Sequence, residues 1–257
     1  MIDIGANLTH DSFSKDRKQV IQAAIDAGVS RMIVTGSSMS CSQKAYDLTQ
    51  VYSDHLFSTV GVHPHHASEY SEETEKLILR LIAHDKVVAI GETGLDYFRN
   101  FSPVEAQIFS FEQHIKLAIE TGAPLFLHQR EAHKDFYPIL KEHRDNISKL
   151  VVHCFTDTKE ALFDYLDLDC HIGITGWICD ERRGLHLREL IKNIPSNRLM
   201  LETDAPYLIP RDLKLKTRRN EPRNLPHIMQ VVAELKEIDL ATFKKEIKQT
   251  SLRFFKI

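Results

Sequence analysis

Eight short apolar runs recur along the chain, and more polar stretches separate them. Each run is bounded by Gly, Pro, polar or charged residues, and several are continuously apolar rather than alternating. Continuous apolar runs of this length are typical of strands covered on both faces, as in a parallel sheet. In chain order the runs are MIDIGANL, RMIVTG, LFSTVGVH, VVAIGE, PLFLH, LVVHCF, HIGITG and LMLETD.

The stretches between these runs are helix-like. In SKDRKQVIQAAIDAG the apolar residues within 20–25 fall on one helical face, and we expect Ser14 to cap the start and Gly28 to end the helix. In SEETEKLILRLIAH, Ser71 is a candidate cap, and the acidic residues after it suit the first turn of a helix. Further helices are predicted over 103–122, 159–166, 185–192, 225–237 and 240–253.

Strands that alternate with helices predict an α/β fold, and eight of them favour a (β/α)₈ TIM barrel. A doubly wound open sheet is the alternative, because a strand count taken from sequence carries error. The length of 257 residues suits one barrel domain over 1–257, and no Gly/Ser-rich linker divides the chain. The irregular stretch 205–225 follows the eighth run, where barrels build active-site loops.

The composition of the chain argues against several classes of protein. A formal net charge of −3 argues against a protein that coats nucleic acid, but not against an enzyme that holds only a chain end. The four cysteines form no CxxC pair, so neither a structural zinc motif nor a disulfide framework is indicated. The N-terminus lacks the features of a signal peptide, and no apolar run approaches the ~20 residues of a membrane span. We expect a cytoplasmic, monomeric protein with no membrane partner.

Four of the apolar runs carry, at or near their end, a residue that can bind metal: Glu92, His128, His153 and Asp204. The intervals between them are too long for a local motif such as a zinc finger. In a barrel, however, all strand ends meet at one rim. Any one of these residues alone is more often structural, but four in equivalent places predict a metal site. Carboxylates and imidazoles are the ligands that a catalytic divalent ion needs.

Other residues near the predicted rim are candidates for substrate contact. His63 ends the third run and is suited to ligate metal, donate to a phosphate or transfer a proton. Arg130 follows His128 by two residues, and its guanidinium suits a phosphate, with a surface salt bridge as the alternative. Asp96 is either a partner of a ligand histidine or a turn cap. His65 and His66 fit a solvated loop at least as well.

A cationic segment and several aromatic residues complete this set. A charge run is usually a solvated face, but on an active-site loop it can attract a polyanion. The aromatic residues can stack on bases or be buried in the core. The cations are Arg211, Lys214, Lys216, Arg218, Arg219 and Arg223, and the aromatic residues are Trp177, Phe155, Tyr97 and Phe98.

Together these residues predict metal-assisted hydrolysis of a phosphate ester. A divalent ion would activate water and stabilise charge on a phosphoryl oxygen. Glu92 or Asp204 could both ligate the ion and accept a proton, while Arg130 and His63 would hold the phosphate.

Several segments of the chain resemble the TatD family of metal-dependent deoxyribonucleases, within the amidohydrolase-like barrels. The similar segments are TVGVHPH, AIGETGLDY, FLHQR, VVHCF, LETDAPYLIPRDL and RRNEPRNLPHI. They run from the third strand to the C-terminal third, so the resemblance is effectively full-length. DIGANLT and GITGWICDERRG resemble the member after which the family is named.

The resemblance implies a TIM barrel that acts on DNA as a 3′–5′ exonuclease preferring single strands, with RNA as a further candidate substrate. It implies Mg²⁺ as the first candidate ion, with Mn²⁺ and Zn²⁺ as alternatives. It also implies that Glu92, His128, His153 and Asp204 are metal ligands. The position of His63 is implicated in substrate contact or catalysis.

The first strand departs from the pattern of most members of the family, which carry an HxH pair at its end. Gly5 and Asn7 stand at those two places. Glycine cannot ligate, whereas the neutral amide oxygen of Asn7 suits a hard ion such as Mg²⁺ or a substrate contact. We therefore expect one secure ion, with a second left open.

Two other functions stay open at this point. One is a different metal-dependent hydrolase on the same barrel, acting on a small amide, lactone or phosphoester, because a fold does not determine a substrate. The other is a binding protein whose metal site is vestigial.

Overall fold

The structure is a computed structural model that describes residues 1–215 and 217–257. Within those residues eight parallel strands form one sheet, and the strands pair with one another in chain order from the first to the eighth. The strands are β1 (Ile2–Ala6), β2 (Arg31–Val34), β3 (Leu56–Val60), β4 (Val87–Asp96), β5 (Leu125–Arg130), β6 (Leu150–Val152), β7 (His171–Ile174) and β8 (Leu199–Leu201).

The first and last strands meet, so the sheet closes on itself. The backbone N–H of Asp204 donates to the carbonyl of Gly5 at 2.8 Å, and that of Asn7 donates to the carbonyl of Ala205 at 2.7 Å. Ala6 and Ala205 form a parallel bridge beside these bonds. The predicted (β/α)₈ barrel is confirmed, and the open sheet is wrong because an open sheet would leave both edge strands unpaired.

Helices follow the strands around the barrel. Among the described residues, no helix is both long and apolar enough to cross a membrane. The helices are α1 (Arg17–Asp26), α2 (Met39–Val51), α3 (Glu72–Ile82), α4 (Val104–Thr121), α5 (His133–His143), α6 (Lys159–Asp167), α7 (Leu185–Leu190), α8 (Leu225–Leu235) and α9 (Leu240–Phe255).

The structure corrects the predicted start of the first helix. Ser14 does not cap α1, which begins at Arg17 after Asp16; it instead ends a short 3₁₀ turn. Ser71 does precede α3, where it forms a capping box with Thr74. Gly28 follows α1 with a φ of +86°, a conformation that favours glycine.

Two helices, α2 and α5, were not individually predicted. The α2 sequence contains few large apolar residues, and α5 contains Pro138. Both features weaken the helical pattern in the sequence.

Two hydrophobic clusters cover the two faces of the sheet. Leu125 and Leu127 of β5 face the helices, whereas Phe126 belongs to the inner cluster with Val151 and Met200. Since side chains alternate along a strand, residues two positions after these inner residues also face the interior. Those residues are His128, His153 and Glu202, and the barrel interior therefore becomes polar near its carboxyl end.

Candidate metal centre

The carboxyl ends of the strands surround a cavity of about 660 Å³. β4 and β5 are longer than predicted and continue to Asp96 and Arg130, which pair with each other. Glu92 and His128 therefore lie within their strands rather than at the ends. All of the predicted site residues line this one cavity: Asn7, His63, Glu92, His128, Arg130, His153 and Asp204.

Glu92 lies at the centre of three imidazole rings. Its Oε1 atom is 2.8 Å from Nε2 of His153, 3.1 Å from Nδ1 of His128 and 3.3 Å from Nε2 of His63. Ligand atoms bound about 2.0–2.2 Å from a common ion are separated by roughly 3 Å. The donor set and its spacing therefore fit a divalent cation.

Two of these rings, those of His128 and His153, each form a hydrogen bond with a further carboxylate on the side away from Glu92. Nε2 of His128 lies 3.1 Å from Oδ2 of Asp96, and Nδ1 of His153 lies 3.3 Å from Oε2 of Glu202. Such outer carboxylates orient a ligand histidine and increase its basicity. Asp96 thus has the geometry expected for a partner of a ligand histidine.

Glu202 is a buried residue of the site that the sequence did not single out. It is fully buried, and Oε1 accepts the backbone N–H of Cys154 at 2.6 Å. A Cβ atom at Gly5 would lie 2.3 Å from Oε2 of Glu202, and one at Gly173 would lie 2.7 Å from Oε1. Glu202 therefore fills the space beside Gly5. A recognisable signal was its position two residues after the inward-facing Met200.

Burial by itself would make Glu92 harder to ionise, but its histidine partners outweigh that effect. Interactions with the His63 and His153 rings, with hydrogen bonds from His128 and His153, lower the pKa of Glu92 well below its ordinary value. Burial likewise opposes the charge of His153, yet Glu202 and Glu92 raise its pKa well above the ordinary value. Asp96 and Glu92 raise the pKa of His128 against the effect of burial. The centre is therefore a cluster of opposite charges.

His63 differs from the other two rings. Burial lowers its pKa to about 4, so the ring is neutral near neutral pH. Its Nδ1 atom accepts the backbone N–H of His65 at 3.1 Å. Because Nδ1 is the acceptor, Nε2 carries the proton and directs it towards Glu92. This tautomer makes His63 a hydrogen-bond donor in the cavity.

Asp204 enters the cavity just beyond β8. The amide nitrogen of Asn7 donates to its Oδ1 atom at 2.8 Å. Burial raises the pKa of Asp204 to about 7. Asn7 thus orients the carboxylate through its nitrogen, and its amide oxygen is the atom that it can offer to an ion or substrate.

Arg130 lies between aromatic rings at one side of the cavity. Its guanidinium carbon is 3.9 Å from the ring centre of Phe98 and 5.8 Å from that of Trp177. Phe98 is exposed and Trp177 lines the cavity, whereas Phe155 is buried in the core and offers no stacking surface. Tyr97 donates instead to Asp135 of α5 at 3.0 Å.

The two loop histidines have different surroundings. His65 is partly buried and contacts Asp96 at 3.1 Å, whereas His66 contacts Glu69 at the surface.

The cationic side chains of the segment after β8 fall into two groups. Arg211 and Arg218 line the cavity. Arg219 forms ion pairs with Asp16 and Glu221, and Arg223 also pairs with Glu221. Lys216 lies outside the described residues. Within the described part of this segment, the cations at the cavity can attract an anion, and Arg219 holds the loop against the start of α1.

Comparison with known proteins gives a consistent result. Residues 2–256 match the model of the family described as TatD related DNase. A protein from Erwinia tasmaniensis named 3′-5′ ssDNA/RNA exonuclease TatD is 49% identical over 259 residues, with 100% of both chains covered. The protein of the same name from Escherichia coli K12 is 48% identical over 243 residues, covering 94% of this chain and 93% of its own.

Solved structures agree with this result. A hydrolase TatD family protein from Entamoeba histolytica has a TM-score of 0.90 at 32% identity, covering 99% of this chain and 97% of its own. YJJV, a TatD homologue from Escherichia coli K12, has a TM-score of 0.92 at 26% identity, covering 100% and 98%.

Proposed function

The chain belongs to the TatD-related DNase family, and we propose that it is a metal-dependent 3′–5′ exonuclease acting on single-stranded DNA and RNA. The observation that carries the proposal is the convergence of three imidazole nitrogens on one carboxylate oxygen of Glu92 inside an open cavity. The names of the relatives support the substrate class.

Glu92, His128, His153 and Asp204 would hold the cation, and we propose Mg²⁺ as that cation. When bound, the ion would lower the pKa of a water molecule and stabilise charge on a phosphoryl oxygen. The oxygens of Glu92, Asp204 and Asn7 suit a hard ion, while the imidazoles keep Mn²⁺ and Zn²⁺ as alternatives. Glu202 and Asp96 would keep the ligand rings in place.

The substrate phosphate would lie between His63 and Arg130. His63 offers a neutral N–H donor, and Arg130 offers a guanidinium that can donate two parallel hydrogen bonds. Phe98 and Trp177 flank Arg130 and provide faces on which an unpaired base can stack. Glu92 and Asp204 are the carboxylates positioned to accept a proton from the attacking water. Stacking on unpaired bases is the reason to expect single strands.

The test is digestion of single-stranded DNA labelled at its 5′ end, with Mg²⁺ or with a chelator. We expect a ladder of shortened labelled products with Mg²⁺, none with chelator, and recovery when Mg²⁺ is restored. A phosphate block at the 3′ end should slow the reaction if digestion begins there. The same design with RNA tests the second substrate.

Other outcomes would identify a different function. DNA binding without cleavage would indicate a binding protein. Turnover of a small amide, lactone or phosphoester, with DNA left intact, would indicate another hydrolase.

The number of ions at this centre can be tested in the same preparation. We expect one tightly held ion after dialysis, because Gly5 supplies no ligand atom. Two tight equivalents that both disappear in Glu92→Gln would contradict this expectation.

A further inference from the structure

A second cluster of side chains of the types that can bind metal lies where three separate segments of the chain meet. Cys179 ends the 3₁₀ helix after β7, Asp212 lies in the loop after β8, and His227 lies in the first turn of α8. One ligand atom from each of the three residues lies within 4.8 Å of the other two. This cluster is distinct from the residues that line the cavity around Glu92.

The distance between the carboxylate and the imidazole is close to what a tetrahedral ion requires. Nε2 of His227 is 2.8 Å from Oδ1 of Asp212. Zinc–nitrogen and zinc–oxygen bonds of about 2.0–2.1 Å at a tetrahedral angle place two such ligand atoms roughly 3.3 Å apart. An ion would therefore replace this hydrogen bond after a displacement of about half an ångström.

The three side chains of the cluster differ in solvent exposure, and the difference would let an ion enter from solvent. Cys179 is fully buried, whereas the side chains of Asp212 and His227 are 30% and 26% exposed. A hydrated ion can therefore approach the carboxylate and imidazole from solvent and reach the thiol last. The open side also leaves room for a water molecule as a fourth ligand.

The ligand types select the ion. A cysteine sulfur with a histidine nitrogen and one carboxylate favours Zn²⁺ over Mg²⁺, which prefers oxygen ligands. We propose that Cys179, Asp212 and His227 bind one Zn²⁺ ion, with water as the fourth ligand, and that this ion fastens the β8–α8 loop to the 3₁₀ helix after β7. Binding replaces the S–H bond by an S–Zn bond, and the thiol proton leaves to solvent.

The proposed ion would act on the walls of the cavity rather than on reacting atoms. Trp177 lies two residues before Cys179, and Arg211 is the neighbour of Asp212; both line the cavity around Glu92. Fastening their two segments together would hold these side chains in place. The proposal does not depend on which substrate the cavity accepts.

Cobalt substitution tests the ligand set directly. The full chain is stripped of metal with a chelator, titrated with Co²⁺ and examined for the near-ultraviolet charge-transfer band of a thiolate bound to cobalt. We expect the band in the wild type and its loss in Cys179→Ser. Asp212→Asn and His227→Gln should weaken Co²⁺ binding at this site at least ~10-fold. Asp212 is partly exposed, so Asp212→Asn is expected to keep its fold, which far-ultraviolet circular dichroism checks.

Matched controls separate this cluster from the centre around Glu92. Cys154→Ser is the key control because Cys154 lines that cavity; it should keep the band, as should Cys170→Ser and Glu92→Gln. Absence of the band in the wild type, its persistence in Cys179→Ser, or its loss in Cys154→Ser would overturn the assignment.

Hydrogen exchange tests the fastening role. Zn²⁺ should slow exchange of the backbone amides of Asp212 and Leu213 in the wild type but not in Asp212→Asn. Equal exchange with and without Zn²⁺ in the wild type would overturn that role.

Discussion

Two buried histidine environments in this barrel have opposite electrostatics. His114 on α4 accepts the backbone N–H of Val62 through Nε2 at 3.0 Å and donates to the carbonyl of Ser110 through Nδ1 at 2.6 Å. Burial lowers its pKa to about 4, so it is neutral. His128 and His153 are also desolvated, but the carboxylates around them raise their pKa values.

The difference shows that burial alone does not identify a functional histidine. Backbone groups provide the hydrogen-bond partners of both ring nitrogens of His114, and the ring thereby links α4 to the segment just before His63. Ionisable side chains beside a cavity surround His128 and His153, and such groups can exchange protons or bind a cation. The identity of the partners separates a structural histidine from a candidate for chemistry.

The largest effect should come from Glu92, whose carboxylate contacts three histidines at the carboxyl ends of the strands (the rim histidines: His63, His128 and His153). Glu92→Gln keeps the shape but removes the charge on which three nitrogens converge. We expect kcat/KM on single-stranded DNA to fall at least ~10³-fold, with the fold retained. The matched control is Glu69→Gln, whose carboxylate contacts the exposed His66 at 2.8 Å. Equal activities of the two variants would contradict the prediction.

Replacing the structural histidine should affect stability instead. His114→Ala removes a buried ring and leaves the N–H of Val62 without its acceptor. We expect the free energy of unfolding in urea to fall by about 3–4 kcal/mol, with kcat little changed well below the melting temperature. His66→Ala at the surface is the control. A loss of kcat with unchanged stability would place His114 with the rim histidines.

The pH dependence of stability tests the same contrast. The ordinary pKa of histidine is 6.5, and that of His114 in the fold is about 4. As pH falls between these values, the unfolded chain takes up a proton that the folded chain does not. The stabilisation is therefore complete above pH 6.5 and lost towards pH 4, by about 3 kcal/mol. The difference in the free energy of unfolding between the wild type and His114→Gln should therefore shrink on acidification. A difference that stays constant with pH would contradict the prediction.

The smallest of these effects should come from Arg130, at one side of the cavity. Arg130→Ala removes a proposed phosphate contact worth about 2 kcal/mol, so KM for DNA should rise roughly 10- to 100-fold. Bound metal should be unchanged. Arg130→Lys keeps the charge but loses the planar group packed on Phe98, and should be intermediate. Metal loss equal to that of His128→Ala would contradict the separation of the two roles.

Much of the architecture follows from local patterns. The apolar runs predicted eight strands, and parallel strands in a barrel bring their carboxyl ends to one rim. That rule was sufficient to place His63, Glu92, His128, His153 and Asp204 around one cavity. Alternation along the strands would also have indicated Glu202, because it lies two residues after Met200.

Other features depended on contacts between distant residues. Nothing local distinguishes Arg219, which pairs with Asp16, from Arg218, which lines the cavity. The direction of the proton on His63 follows from a backbone bond to His65. The meeting of Cys179, Asp212 and His227 depends on how two loops and the start of α8 pack.

The sequence alone therefore determined the barrel and the residues that line the cavity at the carboxyl ends of its strands, because side-chain alternation and strand direction are local properties repeated along the chain. Only the tertiary structure decided which carboxylate supports which imidazole, which cations face the cavity and where the second cluster forms. Those pairings depend on distances between segments far apart in the chain, and burial and the partners together then set the charge of each group.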